Sequence, residues 1–217
     1  MKDMTTRLLK LFVGNTIASF AITCVLKANF GCFATTAMNM AFHNWFGISI
    51  GMAGFIIEVI ILLILLRLKE GLGLTALVNM SFGSFMIDVF NAILPTSPWM
   101  LLGLPLIAIG WALMGMAGFG DSNNNLLMNA LLKRMKRGIG IVRAIEECSF
   151  LAIGFIGSNC VTWFTLVLSL FLGCMLQFIY KIIGYNPIEI ADKIIFPIPP
   201  MSVNFLSIKT PCKHFII

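Results

Sequence analysis

Charged residues and histidine are scarce in this chain. Charged side chains make up 11% of its 217 residues, and two histidines are present. Soluble domains carry about 25% charged and about 45–50% apolar residues, whereas this sequence is 59% hydrophobic with a mean hydropathy of +0.97. The composition excludes a soluble globular enzyme, a disordered chain and a disulfide-stabilised scaffold, and it indicates a multi-pass membrane protein.

Catalytic and metal-binding motifs are also missing. The sequence has no candidate Ser-His-Asp set, no H-E-x-x-H motif and no P-loop. Its six cysteines form no C-x-x-C pair, and neither His43 nor His214 forms a metal-ligand pattern with them. We therefore expect no enzyme activity, no metal and no cofactor.

Long apolar runs fill most of the chain. A helix that crosses a bilayer needs about 20 mostly apolar residues, so the runs predict about six spans. The predicted spans are roughly residues 11–26, 48–66, 74–94, 99–118, 139–156 and 161–183.

Two longer linkers each carry a short amphipathic segment. In linker 29–47 an apolar stripe at helical spacing starts at Ala37, and in linker 119–138 a similar stripe starts at Leu126. Such a helix either lies in the membrane interface or enters the membrane as a re-entrant element.

The two halves of the chain share one pattern. Phe30-Gly31 matches Phe119-Gly120 at a shift of 89 residues, and Thr75 matches Thr165 at a shift of 90. Chance similarity between apolar sequences is the alternative to duplication. A unit of three spans and a linker helix places its second copy upside down in the membrane. The sequence thus predicts an all-α polytopic membrane protein with inverted repeats over 1–96 and 97–185. An irregular, proline-containing tail follows over 186–217.

The basic residues, which give a net charge of +6, are unevenly distributed. With six spans, the N-terminus, the loop at Arg67 and Lys69, the second linker and the tail share one side, and the other side holds Lys27. Positive residues concentrate in cytoplasmic loops. Both termini are therefore expected in the cytoplasm, and the basic character indicates a lipid bilayer and no nucleic acid as partner.

Small residues at four-residue spacing predict close helix contacts. One pair is Gly14 and Ala18 on span one, and another is Gly47 and Gly51 before and within span two. Ala108 and Ala112 form a third pair on span four.

Polar residues within the spans are the candidate functional groups. Ser81, Ser84, Asp88 and Asn91 recur at i, i+3, i+7 and i+10 of span three, which places them on one helix face. The stripe is either the wall of a polar cavity or a hydrogen-bonded helix–helix seam. Span six carries a similar small and polar stripe that ends at Gln177.

Three further positions join these candidates. Glu58 lies near the middle of span two, where a charged group costs about 2.5–3.5 kcal/mol. It could carry a proton, or it could be a neutral side chain bonded to a neighbouring helix. Glu147 lies four residues after Arg143 and could pair with it. The run from Asp121 to Asn125 opens the second linker helix, either as an exposed capping loop or as a helix N-terminus that faces a ligand. The candidate substrate-binding residues are Ser81, Ser84, Asp88, Asn91, Glu58, Glu147, Gln177, Asp121 and Asn124.

A set of short motifs along the chain points to a known family. They are Gly31, Phe46 to Gly51, Gly71 to Thr75, Asn79, Gly83, Asp88, Phe119 to Asp121, Leu127 to Leu131, Arg143 and Glu146-Glu147. Through these motifs the chain resembles the YitT/YczE-like family of small bacterial multi-pass membrane proteins. The resemblance implies an inner-membrane protein with a permease or transporter-like role. The chain departs from the family's pattern after Gly120, where Pro and Arg are missing, and around Gly157, where one glycine of a glycine-rich run remains.

Two functions remain open from the sequence. The first is a small-solute transporter or permease with a central polar site. The second is a non-transporting membrane partner, either the binding subunit of an importer or a regulator of another membrane protein.

Overall fold

A computed structural model of the chain describes residues 2–98, 103–135, 139–168 and 182. Secondary structure in these residues is helical, with no strand among them. The order is α1 (Lys2–Lys27), α2 (Ala34–Phe46), α3 (Ile50–Arg67), α4 (Leu74–Val78), a π-helical turn (Asn79–Gly83), α5 (Ser84–Ile93), α6 (Leu104–Met116), α7 (Asn123–Met135) and α8 (Ile139–Gly157).

Three helical segments within the described residues are long and apolar enough to cross a membrane. They are Met4–Ala28, Ile50–Arg67 and Leu74–Ile93, and they correspond to the first three predicted spans. The chain is therefore a helical membrane protein. Helix α6 is apolar but has 13 residues, and α8 has 19 residues that include one basic and two acidic side chains. The count of six spans and the inverted repeat stay predictions, and most of predicted span six, the tail and Gln177 lie outside the described residues.

Helices α1 and α6 pack closely because both present small residues. A Cβ atom added to Gly14 would lie 2.8 Å from the Gly110 carbonyl oxygen, and one added to Gly110 would lie 2.7 Å from the Ala18 backbone nitrogen. Ala108 and Ala112 are fully buried. The predicted close contact at Gly14 and Ala18 is confirmed, but its partner on span four is Gly110 and not the predicted pair Ala108 and Ala112. The predicted contact at Gly47 and Gly51 is wrong for Gly47, which ends α2 in the left-handed conformation and would have no neighbour within 4 Å of an added Cβ atom, whereas Gly51 does lie in close contact with α5.

Helix α2 packs against α8 in the same way. A Cβ atom on Gly154 would lie 2.6 Å from Ala37, and one on Gly157 would lie 2.5 Å from Ala41. The Asn44 side-chain amide donates a 2.9 Å hydrogen bond to the Gly157 carbonyl oxygen. The predicted first linker helix is therefore a packed element of the bundle and contacts a helix of the second half of the chain.

One end of the bundle gathers basic residues. Arg7 on α1 donates hydrogen bonds to the Ala117 and Gly118 carbonyl oxygens at the end of α6, at 2.8 and 3.0 Å. At the same end Lys133 on α7 pairs with Glu70 at 2.5 Å. The start of α1, the loop after α3 and the end of α7 therefore share this end of the bundle.

Large apolar side chains cover much of the outer surface. Phe155 on α8 is 74% exposed and Trp163 is 75% exposed, and Leu63 on α3 is also exposed. In a soluble protein such a surface would cause aggregation, whereas in a bilayer these side chains face lipid.

Candidate functional site

Helix α3 has glycines at positions 51 and 54, where α5 and α2 come close to it. A Cβ atom on Gly51 would overlap the Ser84 carbonyl oxygen and lie 2.6 Å from the Asp88 carboxyl carbon, and one on Gly54 would lie 3.0 Å from the Asn39 amide nitrogen. Because glycine leaves this space free, polar groups of α2 and α5 reach the α3 backbone. We call this contact the α3–α5 seam.

Asp88 caps the N-terminus of α3 from the outer end of this seam. Its Oδ1 accepts a 2.6 Å hydrogen bond from the Gly51 backbone N–H, and its Oδ2 accepts one of 2.5 Å from the Ser49 hydroxyl. Ser49 Oγ in turn accepts from the Met52 backbone N–H at 3.1 Å. An acidic group stabilises the positive end of a helix, so the geometry gives Asp88 a structural role that needs no solute.

Glu58 follows on the same face of α3, deeper in the bundle. Its Oε2 accepts a 2.6 Å hydrogen bond from the Asn123 amide, and its Oε1 accepts one of 3.4 Å from the Asn79 amide. No Lys, Arg or His whose side chain the structure describes lies within 4.0 Å of it. Glu58 is nine residues before the end of α3 at Arg67, which corresponds to about 13 Å, close to the middle of a hydrocarbon core of about 30 Å.

The partner of Glu58 on the second linker is the first residue of α7. Asn123 is fully buried, and the loop before it runs inward from the basic end of the bundle. In that loop the Phe119 carbonyl oxygen accepts from the Thr75 backbone N–H at 3.4 Å, and Gly120, with φ +95°, lies directly against Gly73. The positive N-terminal end of α7 therefore points at a carboxyl group near the middle of the membrane.

The π-helical turn brings α1 into the same cluster. A Cβ atom on Gly83 would lie 2.8 Å from Asn15 Oδ1 and 3.2 Å from Asn79 Oδ1, so both amides occupy the space that a side chain would fill. Ser19, one turn after Asn15, donates a 3.2 Å hydrogen bond to the Gly83 carbonyl oxygen. Single π-helical turns within α-helices are frequent at functional sites.

Several buried polar atoms of this cluster have no hydrogen-bond partner among the described residues. They include both side-chain atoms of Asn15, Oδ1 of Asn123 and Oγ1 of Thr75. Asn15 is 1% exposed and Thr75 2% exposed. An unsatisfied buried group costs about 1–3 kcal/mol, and native proteins satisfy most such groups. The Glu58 site is defined here as Glu58, Asn79, Asn123, Asn15 and Thr75.

A second junction on the other half of the bundle has related contacts but no carboxyl group. The Phe30 carbonyl oxygen accepts a 2.6 Å hydrogen bond from Thr162 Oγ1, and the Cys32 N–H donates to Thr165 Oγ1 at 3.4 Å. Cys32 Sγ lies 3.8 Å from the Cys160 carbonyl oxygen. Hydrogen bonding with Cys32 lowers the pKa of the Cys160 thiol to about 7, and the same contact together with burial raises the pKa of Cys32.

The polar stripe predicted on span three is divided by the π-helical turn. Ser84 is buried in the α3–α5 seam beside Gly54, and Asp88 caps α3. Ser81 is exposed and donates to the Leu77 carbonyl oxygen of its own helix at 2.8 Å, and Asn91 is half-buried. The prediction that all four share one face was wrong for Ser81, because a π turn changes the helical phase.

The other predicted site residues that the structure describes are Asp121, Asn124 and Glu147. Asp121 is exposed and accepts from the Ser122 N–H at 2.9 Å, whereas Asn124 follows Asn123 directly and its Oδ1 has no partner in the described part of the chain. Glu147 on α8 is half-buried, and the preceding Glu146 is the buried carboxyl group of that helix, 3% exposed.

Asn15 and Asn123 were not predicted as site residues, although the sequence contains a signal for each. Asn15, Ser19 and Thr23 recur at four-residue intervals on α1, which is a polar stripe of the kind recognised on span three. Asn123 lies within the polar run that opens α7, and its selection over its neighbours depends on tertiary contacts.

Comparison with known proteins assigns the family. Residues 5–181 match the model of a family of unknown function, DUF6198. The chain belongs to this family. An uncharacterised protein of Haemophilus influenzae is 28% identical over 145 residues, which are 64% of this chain and 66% of that protein. The chain thus spans just under two thirds of that relative's length. No solved structure matches the chain.

Proposed function

We propose that this DUF6198 protein is a membrane transporter or permease that binds a small polar solute at the Glu58 site. One observation supports the proposal most directly. Glu58 is hydrogen-bonded to Asn79 of the third span and to Asn123 of α7, Asn15 of α1 lies beside Asn79 at Gly83, and several of these buried polar atoms have no partner among the described residues.

The form of the site supports solute binding over simple helix packing. Ionisable residues within membrane spans are costly and mark pathways or binding sites. A helix that begins inside the bundle with its N-terminus at a polar centre is a recurrent arrangement in transporters with inverted repeats. The corresponding junctions at Phe119–Thr75 and Phe30–Thr162 support the proposed repeat. The distribution of basic residues supports a bacterial inner membrane with both termini in the cytoplasm. The resemblance to the YitT/YczE-like family is consistent with the same role.

Water access to the site tests this proposal. In a background without native cysteines, single cysteines replace Asn124, Asn29, Ala112 or Phe155, and a charged methanethiosulfonate reagent is added to either side of membrane vesicles. We expect Asn124→Cys to react from at least one side, because a transporter must open its site to water. Asn29→Cys in an exposed loop is the positive control, and Ala112→Cys at a fully buried position of α6 and lipid-facing Phe155→Cys are the negative ones.

Failure of Asn124→Cys to react from both sides, with Asn29→Cys labelled, would contradict the transport proposal. Native mass spectrometry of the gently extracted chain then identifies the bound species. A small-molecule mass that Glu58→Gln removes and Glu70→Gln retains supports a solute site. A second protein bound equally to all three forms supports the alternative of a non-transporting partner subunit.

A further inference from the structure

The Glu58 site has an acidic group with no basic partner among the side chains that the structure describes. The nearest basic side chains on α7 are Lys133 and Arg134 at its far end, where Lys133 pairs with Glu70 and Arg134 donates to the Leu68 carbonyl oxygen at 3.2 Å. Two neutral amides and a helix N-terminus face Glu58 instead. These dipoles stabilise a negative charge in part, but they leave the cluster with a net charge of −1 when Glu58 is ionised.

Three of the buried atoms without a partner among the described residues are of the type that binds cations. Asn15 Oδ1, Asn123 Oδ1 and Thr75 Oγ1 are neutral oxygens, and they come from α1, α7 and α4. Hard cations prefer oxygen ligands, and an amide can present its oxygen after a rotation of its terminal group. Asn79 Oδ1 is a further neutral oxygen close to Asn15. A Cβ atom on Gly83 would lie 3.2 Å from Asn79 Oδ1 and 2.8 Å from Asn15 Oδ1.

The charge of the ligand set selects a monovalent ion. Divalent cations in proteins are held by several carboxylates, and no group of three or more His, Cys, Asp or Glu residues suited to a metal occurs in the described part of the chain. One carboxylate with a few neutral oxygens balances a single positive charge. The larger K⁺ needs more oxygens than this cluster supplies, which favours Na⁺.

We propose that the Glu58 site binds a small monovalent inorganic cation, Na⁺, between the Glu58 carboxylate and the amide and hydroxyl oxygens of Asn15, Asn123 and Thr75. This inference rests on the proposed function, since the ion occupies the same site as the solute or couples to it. The bound ion balances the Glu58 charge and satisfies oxygens that have no donor in the described part of the chain.

The test is thermal unfolding of the purified full chain in detergent micelles, with NaCl, KCl or choline chloride at equal ionic strength. We expect Tm to rise with Na⁺ in a saturable manner, because a ligand that binds the folded state stabilises it. Glu58→Gln should abolish the Na⁺-dependent rise. Asn15→Leu, which keeps the side-chain shape, should weaken the apparent Na⁺ affinity at least about tenfold.

Glu70→Gln is the matched control, because it makes the same chemical change at the basic end of the bundle and should keep the full Na⁺ response. An equal effect of all three salts, or a Na⁺ response that survives in Glu58→Gln, would overturn the cation site. A Glu58-dependent response to K⁺ alone would uphold a monovalent cation site and overturn the choice of Na⁺. If the wild-type chain shows no Na⁺ response while Asn124→Cys still reacts with the charged reagent, this inference is refuted and the proposed function stands. If Asn124→Cys also fails to react, the proposed function is refuted as well.

Discussion

Glycine-to-alanine substitutions at Gly83 and Gly51 should both destabilise the protein, but by very different amounts. At Gly83 the added methyl group meets Asn15 Oδ1 at 2.8 Å and Asn79 Oδ1 at 3.2 Å. Both atoms are the ends of flexible side chains, and the Asn15 amide has no hydrogen bond to lose within the described residues. The amides therefore rotate away, at the lower end of the overpacking range, about 1 kcal/mol.

At Gly51 the same methyl group meets atoms that cannot rotate away. It would overlap the Ser84 backbone carbonyl oxygen and lie 2.6 Å from the Asp88 carboxyl group that caps α3. Helix α3 must then separate from α5, which breaks the cap and opens the seam. We expect a cost of about 3 kcal/mol or more, from overpacking together with loss of the cap.

Fluorescence-detected size-exclusion chromatography with a thermal ramp measures both effects. For a chain of this size, about 1 kcal/mol corresponds to a Tm change of about 2–4 °C. Gly83→Ala should accumulate as a monodisperse protein with a Tm lowered by about that amount, and it should lose its response to Na⁺. Gly51→Ala should accumulate poorly. A full Na⁺ response in Gly83→Ala would refute the role of Asn15, and wild-type accumulation and Tm in Gly51→Ala would refute the packing of the seam.

Two further predictions concern the ends of the bundle. Arg7→Ala should destabilise the protein by about 1–2 kcal/mol, because it removes two hydrogen bonds to the carbonyl groups at the end of α6. Lys133→Ala removes one exposed ion pair and should change stability by less than about 1 kcal/mol, and an equal loss of Tm in both would contradict this ranking. Cys160, with its pKa lowered to about 7, should be alkylated faster as pH rises through 7, since the thiolate is the nucleophile. Cys32→Ala should move this rise toward the ordinary value of 9.0, and an unchanged profile would show that Cys32 does not cause the shift.

Span positions were predictable because they depend on local composition. Spans 48–66 and 74–94 correspond to Ile50–Arg67 and Leu74–Ile93, within a few residues. The two linker helices were also predicted from their apolar stripes, and they form α2 and α7. Hydropathy measures the length of an apolar run and contains no information about which helices meet, so the contacts of α1 with α6 and of α2 with α8 needed the structure.

The site was predictable in its chemistry more than in its geometry. Glu58 was selected because a carboxyl group in an apolar run is costly, and that argument needs no tertiary information. The stripe from Ser81 to Asn91 assumed a regular α-helix, and the π-helical turn at Asn79–Gly83 separates Ser81 from Ser84. A π turn depends on contacts such as that of Asn15 with Gly83, which join residues far apart in sequence.

The contact of α1 with α6 has a consequence for biosynthesis. Gly14 and Gly110 are separated by about 100 residues of chain, and ribosomes add about 5–20 residues per second. The glycine face of the first span therefore waits for about 5–20 s in the membrane before its packing partner α6 emerges. The Asn15 amide is covered earlier, when Asn79 and Gly83 of the third span are made, so nascent chains that stop before residue 79 should be targets of membrane quality control.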